Sequence, residues 1–139
     1  DDLELSTILN SLQIDSTIAI NNANELSPWE CAKPVYQFVH SLIEDASKRY
    51  KDKIGTVKIV KKPEEIIAWS EENNLDQIVT AYAATGPNAT MITNLNKLGL
   101  NIIQISKKYD QKAWPNATQG FFRFKEKIPA LVKELGLTS

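Results

Sequence analysis

Apolar residues recur at two spacings along this chain. Leu5, Ile8, Leu9 and Leu12 stand at helical intervals and predict a short N-terminal helix. Thr17-Ile18-Ala19-Ile20 reads as a short strand, and Asn21 to Pro28, rich in Asn, Ser and Pro, as a loop. From Pro34 to Arg49 the pattern is helical, with Val35, Phe38, Val39, Leu42, Ile43 and Ala46 on one broad apolar face. His40 lies off that face and is expected on the surface. Lys48, Arg49, Lys51 and Lys53 follow at the helix end, where positive charge offsets the dipole.

Beyond Gly55 the rhythm becomes regular. Thr56 to Val60 is β-branched and predicts a strand. Pro63, then Glu64 and Glu65, suit the first turn of a helix that Asn73-Asn74 ends. Gln77 to Tyr82 reads as a strand. Pro87 opens a helix with Met91, Leu95 and Leu98 on one face and Gly99 at its end. Leu100 to Ile105 is the next strand. These strands are apolar runs more than alternations, as expected when helices cover both faces of a sheet. The predicted fold is therefore α/β, a three-layer αβα arrangement with a mostly parallel, Rossmann-like sheet. Ser106 to Gln119 shows no apolar period and reads as a long connection. Phe124, Ile128, Leu131 and Leu135 then mark a final helix, with a kink or restart expected at Pro129. We expect a single domain over 1–139, with a helical or irregular part over 1–50 and an α/β core over 56–136.

Composition narrows the chemistry. The chain has 139 residues, of which 42% are hydrophobic, enough for one core. A net charge of -1 excludes a strongly basic nucleic-acid binder. That sum hides a gradient: residues 1–30 hold six acids and no base, whereas residues 91–139 hold eight bases and three acids. An anionic partner should prefer the C-terminal third. No apolar run is long enough to span a membrane. Cys31 is the single cysteine and His40 the single histidine, which excludes an internal disulfide, a Cys-rich metal site and a His-rich one. The sequence opens at Asp1 with no signal-peptide pattern, so a processed chain or a piece of a longer protein, cytoplasmic in location, is expected. In that setting the triplets Asn88-Ala89-Thr90 and Asn116-Ala117-Thr118 are coincidental matches to a glycosylation signal.

Two segments could carry chemistry. Thr80-Ala81-Tyr82-Ala83-Ala84-Thr85-Gly86-Pro87-Asn88 leaves a strand and enters a helix. Thr85 is placed to cap it, and the free amides near Gly86 and Asn88 would suit a phosphate or another anion. A plain strand-to-helix turn with a buried Tyr82 fits the same residues. The Gly-Lys-Ser/Thr ending of a phosphate-binding loop is absent. The second segment, Trp114 to Lys125, joins aromatics to bases: Trp114, Phe121 and Phe122 could stack a planar ring, while Arg123, Lys125 and Lys127 could meet phosphate. Aromatics packing a long loop over a sheet edge, with surface bases, would explain it equally. The paired acids Glu64-Glu65 and Glu71-Glu72 do not share one helical face, and Asp110 has no histidine near it in sequence.

The runs Ile78-Val79-Thr80-Ala81-Tyr82-Ala83-Ala84-Thr85-Gly86-Pro87 and Trp114-Pro115-Asn116-Ala117-Thr118-Gln119-Gly120-Phe121-Phe122-Arg123-Phe124 resemble the α/β part of bacterial proteins related to DNA photolyases and cryptochromes. The resemblance covers about residues 56–136. It implies an α/β module that docks onto a helical domain holding FAD, with an antenna chromophore in some members. DNA contact would belong to the complete protein. The candidate cofactor-contacting residues are then Thr80, Tyr82, Thr85, Gly86, Asn88, Trp114, Thr118, Phe121, Phe122, Arg123 and Lys125. The helical flavin domain has no counterpart in these 139 residues, so the expectation is an excised or stand-alone module that is not catalytic alone. Two alternatives stay open: a small nucleotide- or anion-binding protein using the 80–88 turn, and an interaction domain without chemistry, a homodimer through the Trp114–Phe124 surface being one form.

Overall fold

The computed structural model describes residues 12–137. The helix expected from Leu5, Ile8 and Leu9 lies outside the described residues. The chain divides into two compact units, Asp1–Ile105 and Ser106–Ser139.

The first unit is a mixed α/β fold. Its elements run β1 (Thr17–Ile20), α1 (Lys33–Arg49), α2 (Lys51–Ile54), β2 (Val57–Val60), α3 (Glu64–Glu72), β3 (Ile78–Ala81), α4 (Pro87–Lys97) and β4 (Ile102–Ile105). β1 pairs in parallel with β2, Thr17 opposite Val57 and Ile20 opposite Val60. β3 pairs in parallel with β4, Ile78 opposite Ile102 and Ala81 opposite Ile105. Parallel neighbours need a crossover, and helices supply it each time, α1 and α2 in the first pair and α4 in the second. One core serves both two-stranded sheets. Val60, Ile66, Trp69 and Leu95 are buried together, with Ile18 and Ile20 of β1, Ile78 of β3 and Ile102 of β4 packed against them. The Trp69 indole N–H, buried at its ring, donates to Ser16 Oγ at 3.0 Å.

The helix starts are legible in the sequence. Glu65 reaches back from the first turn of α3, its carboxylate accepting from the backbone N–H groups of Lys61 and Lys62 at 3.0 and 2.9 Å. Those two bonds, Lys61's foremost, hold its carboxyl below the usual carboxylate range. α1, in contrast, does not bury the whole face its spacing predicts. Ile43 and Ala46 are buried, but Val35, Phe38 and Leu42 are exposed, Phe38 by 63%. At about 100° per residue, these two sets occupy adjacent halves of one apolar arc, and the unit covers only one half. His40 is half-exposed, with Nε2 3.7 Å from Glu44 Oε1. Its Nδ1 and the Tyr36 hydroxyl oxygen are buried without a hydrogen-bond partner.

The second unit corrects another expectation. Residues 106–119 are not an irregular connection: α5 (Lys108–Ala113) leads into a 3-10 turn, Trp114–Asn116. The Gln111 carboxamide donates to the Ser106 carbonyl at 3.0 Å, and the Asn116 carboxamide to the Lys112 carbonyl at 2.9 Å. α6 (Phe121–Glu134) then runs through Pro129 as one element, without the restart that was one of the two expectations there. Its predicted stripe holds, with Leu131 buried and Phe124, Ile128 and Leu135 half-buried. An ion pair between Lys112 and Glu134 fastens α5 to α6.

Candidate functional site

In the first unit, the ladder continues past β3. Tyr82 N–H donates to the Ile105 carbonyl at 3.0 Å, and Ala83 N–H to Gln104 Oε1 at 2.9 Å. Ala83 takes the interior position, so Tyr82 is exposed rather than buried. Thr80 is half-buried within β3. Thr85 does not cap α4. The capping residue is Gly86, which makes no side-chain bond and sits at φ 148° and ψ -172°, a region open essentially to glycine alone. That conformation turns the chain from strand to helix at the point where Thr85 was expected to do so.

Asn88 has a partner far away in sequence. Its Oδ1 accepts from the Asn22 carboxamide at 2.6 Å, joining the loop after β1 to the first turn of α4. Next to it, Asn21 is 1% exposed. Its carboxamide donates to the Tyr36 carbonyl at 3.2 Å and accepts from Ala23 N–H at 3.3 Å, while its own N–H donates to the Val60 carbonyl at 2.8 Å. The carboxyl ends of β1 and β3, where ligands bind in open parallel sheets, are thus linked through side-chain amides. Asn21 and Asn22 read as loop residues in the sequence. The one local signal was a pair of amides directly after a strand.

The second unit holds the other group. Trp114, Phe121 and Phe122 are exposed by 47%, 64% and 83%. The Phe121 and Phe122 rings meet edge to face, centroids 5.8 Å apart. Gly120, at φ 84°, makes the turn that starts α6 immediately before them. Beside this segment lies a recess of about 450 Å³ lined by Pro115, Asn116, Thr118, Gln119, Arg123, Glu126 and Lys127. Arg123 Nη1 donates to Gln119 Oε1. Of the residues singled out in the sequence, Thr118, Arg123 and Lys127 share the recess, whereas Lys125 is exposed outside it. Pro115, Asn116, Gln119 and Glu126 complete it. Thr80, Tyr82, Thr85, Gly86 and Asn88 form their own group in the first unit.

Among the described residues no group of three or more His, Cys, Asp or Glu could hold a metal ion. No described helix is long and apolar enough to cross a membrane. No protein-family model matches the chain, and no curated protein or solved structure matches it at a significant level.

Proposed function

We propose that the chain is the α/β module of a photolyase- or cryptochrome-related flavoprotein, which docks through its Trp114–Lys125 segment onto a helical flavin-binding domain or partner protein and is not catalytic alone. The exposure of Trp114, Phe121 and Phe122 in one short segment carries this reading. Exposed aromatics gathered in one patch mark interaction surfaces, because covering them removes large apolar area from water. In the same reading the two parallel strand pairs are halves of one Rossmann-like sheet in a three-layer, cytoplasmic module. Their shared core of Val60, Trp69 and Leu95 supports that. DNA contact belongs to the complete protein.

The residues present do not fit a flavin. The recess of the second unit is lined by Arg123, Glu126, Lys127 and amide side chains, whereas a flavin ring calls for a largely apolar pocket. FAD therefore belongs, in this reading, to the partner domain. The test is to read the source gene outward through both ends of this segment. An adjoining helical flavin-binding region is expected. A reading frame closing at both ends of residues 1–139 overturns the proposal.

A second reading is favoured by the Asn22–Asn88 bond at the carboxyl ends of β1 and β3. There the uncapped start of α4 would take an anion. Gly86→Val would force a β-branched residue into a glycine conformation and should abolish phosphate-induced shifts at the Asn88 and Ala89 amides. Unchanged shifts would rule it out.

A further inference from the structure

We infer that the recess between the 3-10 turn at Trp114–Asn116 and the first two turns of α6 binds the phosphate group of a small phosphorylated molecule, held by Arg123 and Lys127. The local electrostatics point that way. Bases are ordinarily placed at the C-terminal end of a helix and acids at its start, to suit the dipole. α6 carries Lys133 in its last turn as the dipole favours, but its first turn contains no acid and no side-chain cap. Arg123 and Lys127 instead stand one turn apart along the wall of the recess. Neither has an ion-pair partner among the described residues. Glu126 is the single acid in the lining and leaves it net positive. The unit as a whole carries seven bases and three acids.

A doubly charged phosphate ester would reverse the sign of that arrangement. Arg123 is held from one side by Gln119, which leaves the rest of its planar fork for two phosphate oxygens. Lys127 supplies a second charge and Thr118 a hydroxyl donor. The recess is open, its lining residues all being exposed, and its volume of about 450 Å³ is more than a bare ion fills. The recess draws on residues of the same segment as the docking reading but not on its aromatics, since neither Phe121, Phe122 nor Trp114 lines it.

The test is a titration of the 139-residue chain with inorganic pyrophosphate at constant ionic strength, following backbone amide resonances. Saturable shifts are expected at Thr118, Gln119, Arg123 and Lys127. Affinity should fall at least about tenfold in R123Q/K127Q, since each charged hydrogen bond is worth more than a neutral one. Glu126→Gln should tighten binding, and Lys125→Gln, outside the recess, should leave it within about twofold. Because the substituted side chains are exposed, far-ultraviolet dichroism of each variant should match the parent. The inference is overturned by an absence of saturable shifts, by equal affinity in R123Q/K127Q, or by shifts with a single-stranded oligonucleotide but not with pyrophosphate. A failed titration would leave the gene-structure test of the docking reading untouched, and the reverse also holds.

Discussion

Asn21 is the most enclosed large side chain of the first unit, and every polar atom on it is used. It stands in for backbone pairing where β1 has ended and the chain must turn. Asn21→Ala should leave the Ala23 N–H without its side-chain partner and remove the second bond to the Tyr36 carbonyl, at a cost of about 1–3 kcal/mol in denaturant unfolding. Glu65 makes a different residue-level prediction. Its folded pKa is lowered from 4.5, because its charged form accepts the Lys61 and Lys62 amides. The unfolded chain therefore takes up this proton first as pH falls. The contribution is complete above the unfolded value, and is lost as pH falls through the lowered one. Glu65→Ala should lower the melting temperature near pH 7, and the two proteins should converge as pH falls below the lowered folded value. Melts that stay apart at low pH would remove the charge from the explanation.

At the scale of elements, α1 separates packing from periodicity. Ile43→Ala, on the covered half of its arc, should cost about 2–5 kcal/mol. Phe38→Ser, on the uncovered half, should change stability by no more than about 0.5 kcal/mol. Equal losses in chemical denaturation would mean that both halves are covered. Spacing alone reports an apolar arc and not how much of it a neighbour reaches, which is why Val35, Phe38 and Leu42 were expected inside. Between Gly55 and Ile105 the elements are legible because proline and glycine punctuate them, with Pro63 and Pro87 at helix starts and Gly99 after a helix end. α5 is not legible, since Tyr109 and Ala113 are its only apolar residues and six positions cannot display a helical period. Pro129 does not restart the helix: a missing amide bond is tolerated where Phe124, Ile128 and Leu131, buried or half-buried, flank it in sequence.

For the molecule as a whole, the two units carry distinct charge and distinct candidate chemistry. The positive C-terminal third foreseen from composition coincides with the unit that holds the Arg123–Lys127 recess. The Asn22–Asn88 contact joins residues 66 apart and leaves no local trace in the sequence. In the first unit, Leu95 lies in a core shared by both strand pairs, so Leu95→Ala should cost about 2–5 kcal/mol. Amide exchange should then accelerate in β1–β2 and β3–β4 alike. Faster exchange confined to β3–β4 would show that the two sheets unfold separately.

The burial of Trp69 also has an optical consequence. Of the three tryptophans, Trp69 is 4% exposed, while Trp29 is largely exposed and Trp114 about half. Blue-shifted emission that iodide cannot quench therefore comes from the first unit's core. The quenchable red component includes Trp114, next in sequence to Pro115 of the recess wall. Replacing Trp29 with Phe would leave one fluorophore in each unit, so that loss of the core and occupation of the recess could be followed at two wavelengths in a single cuvette.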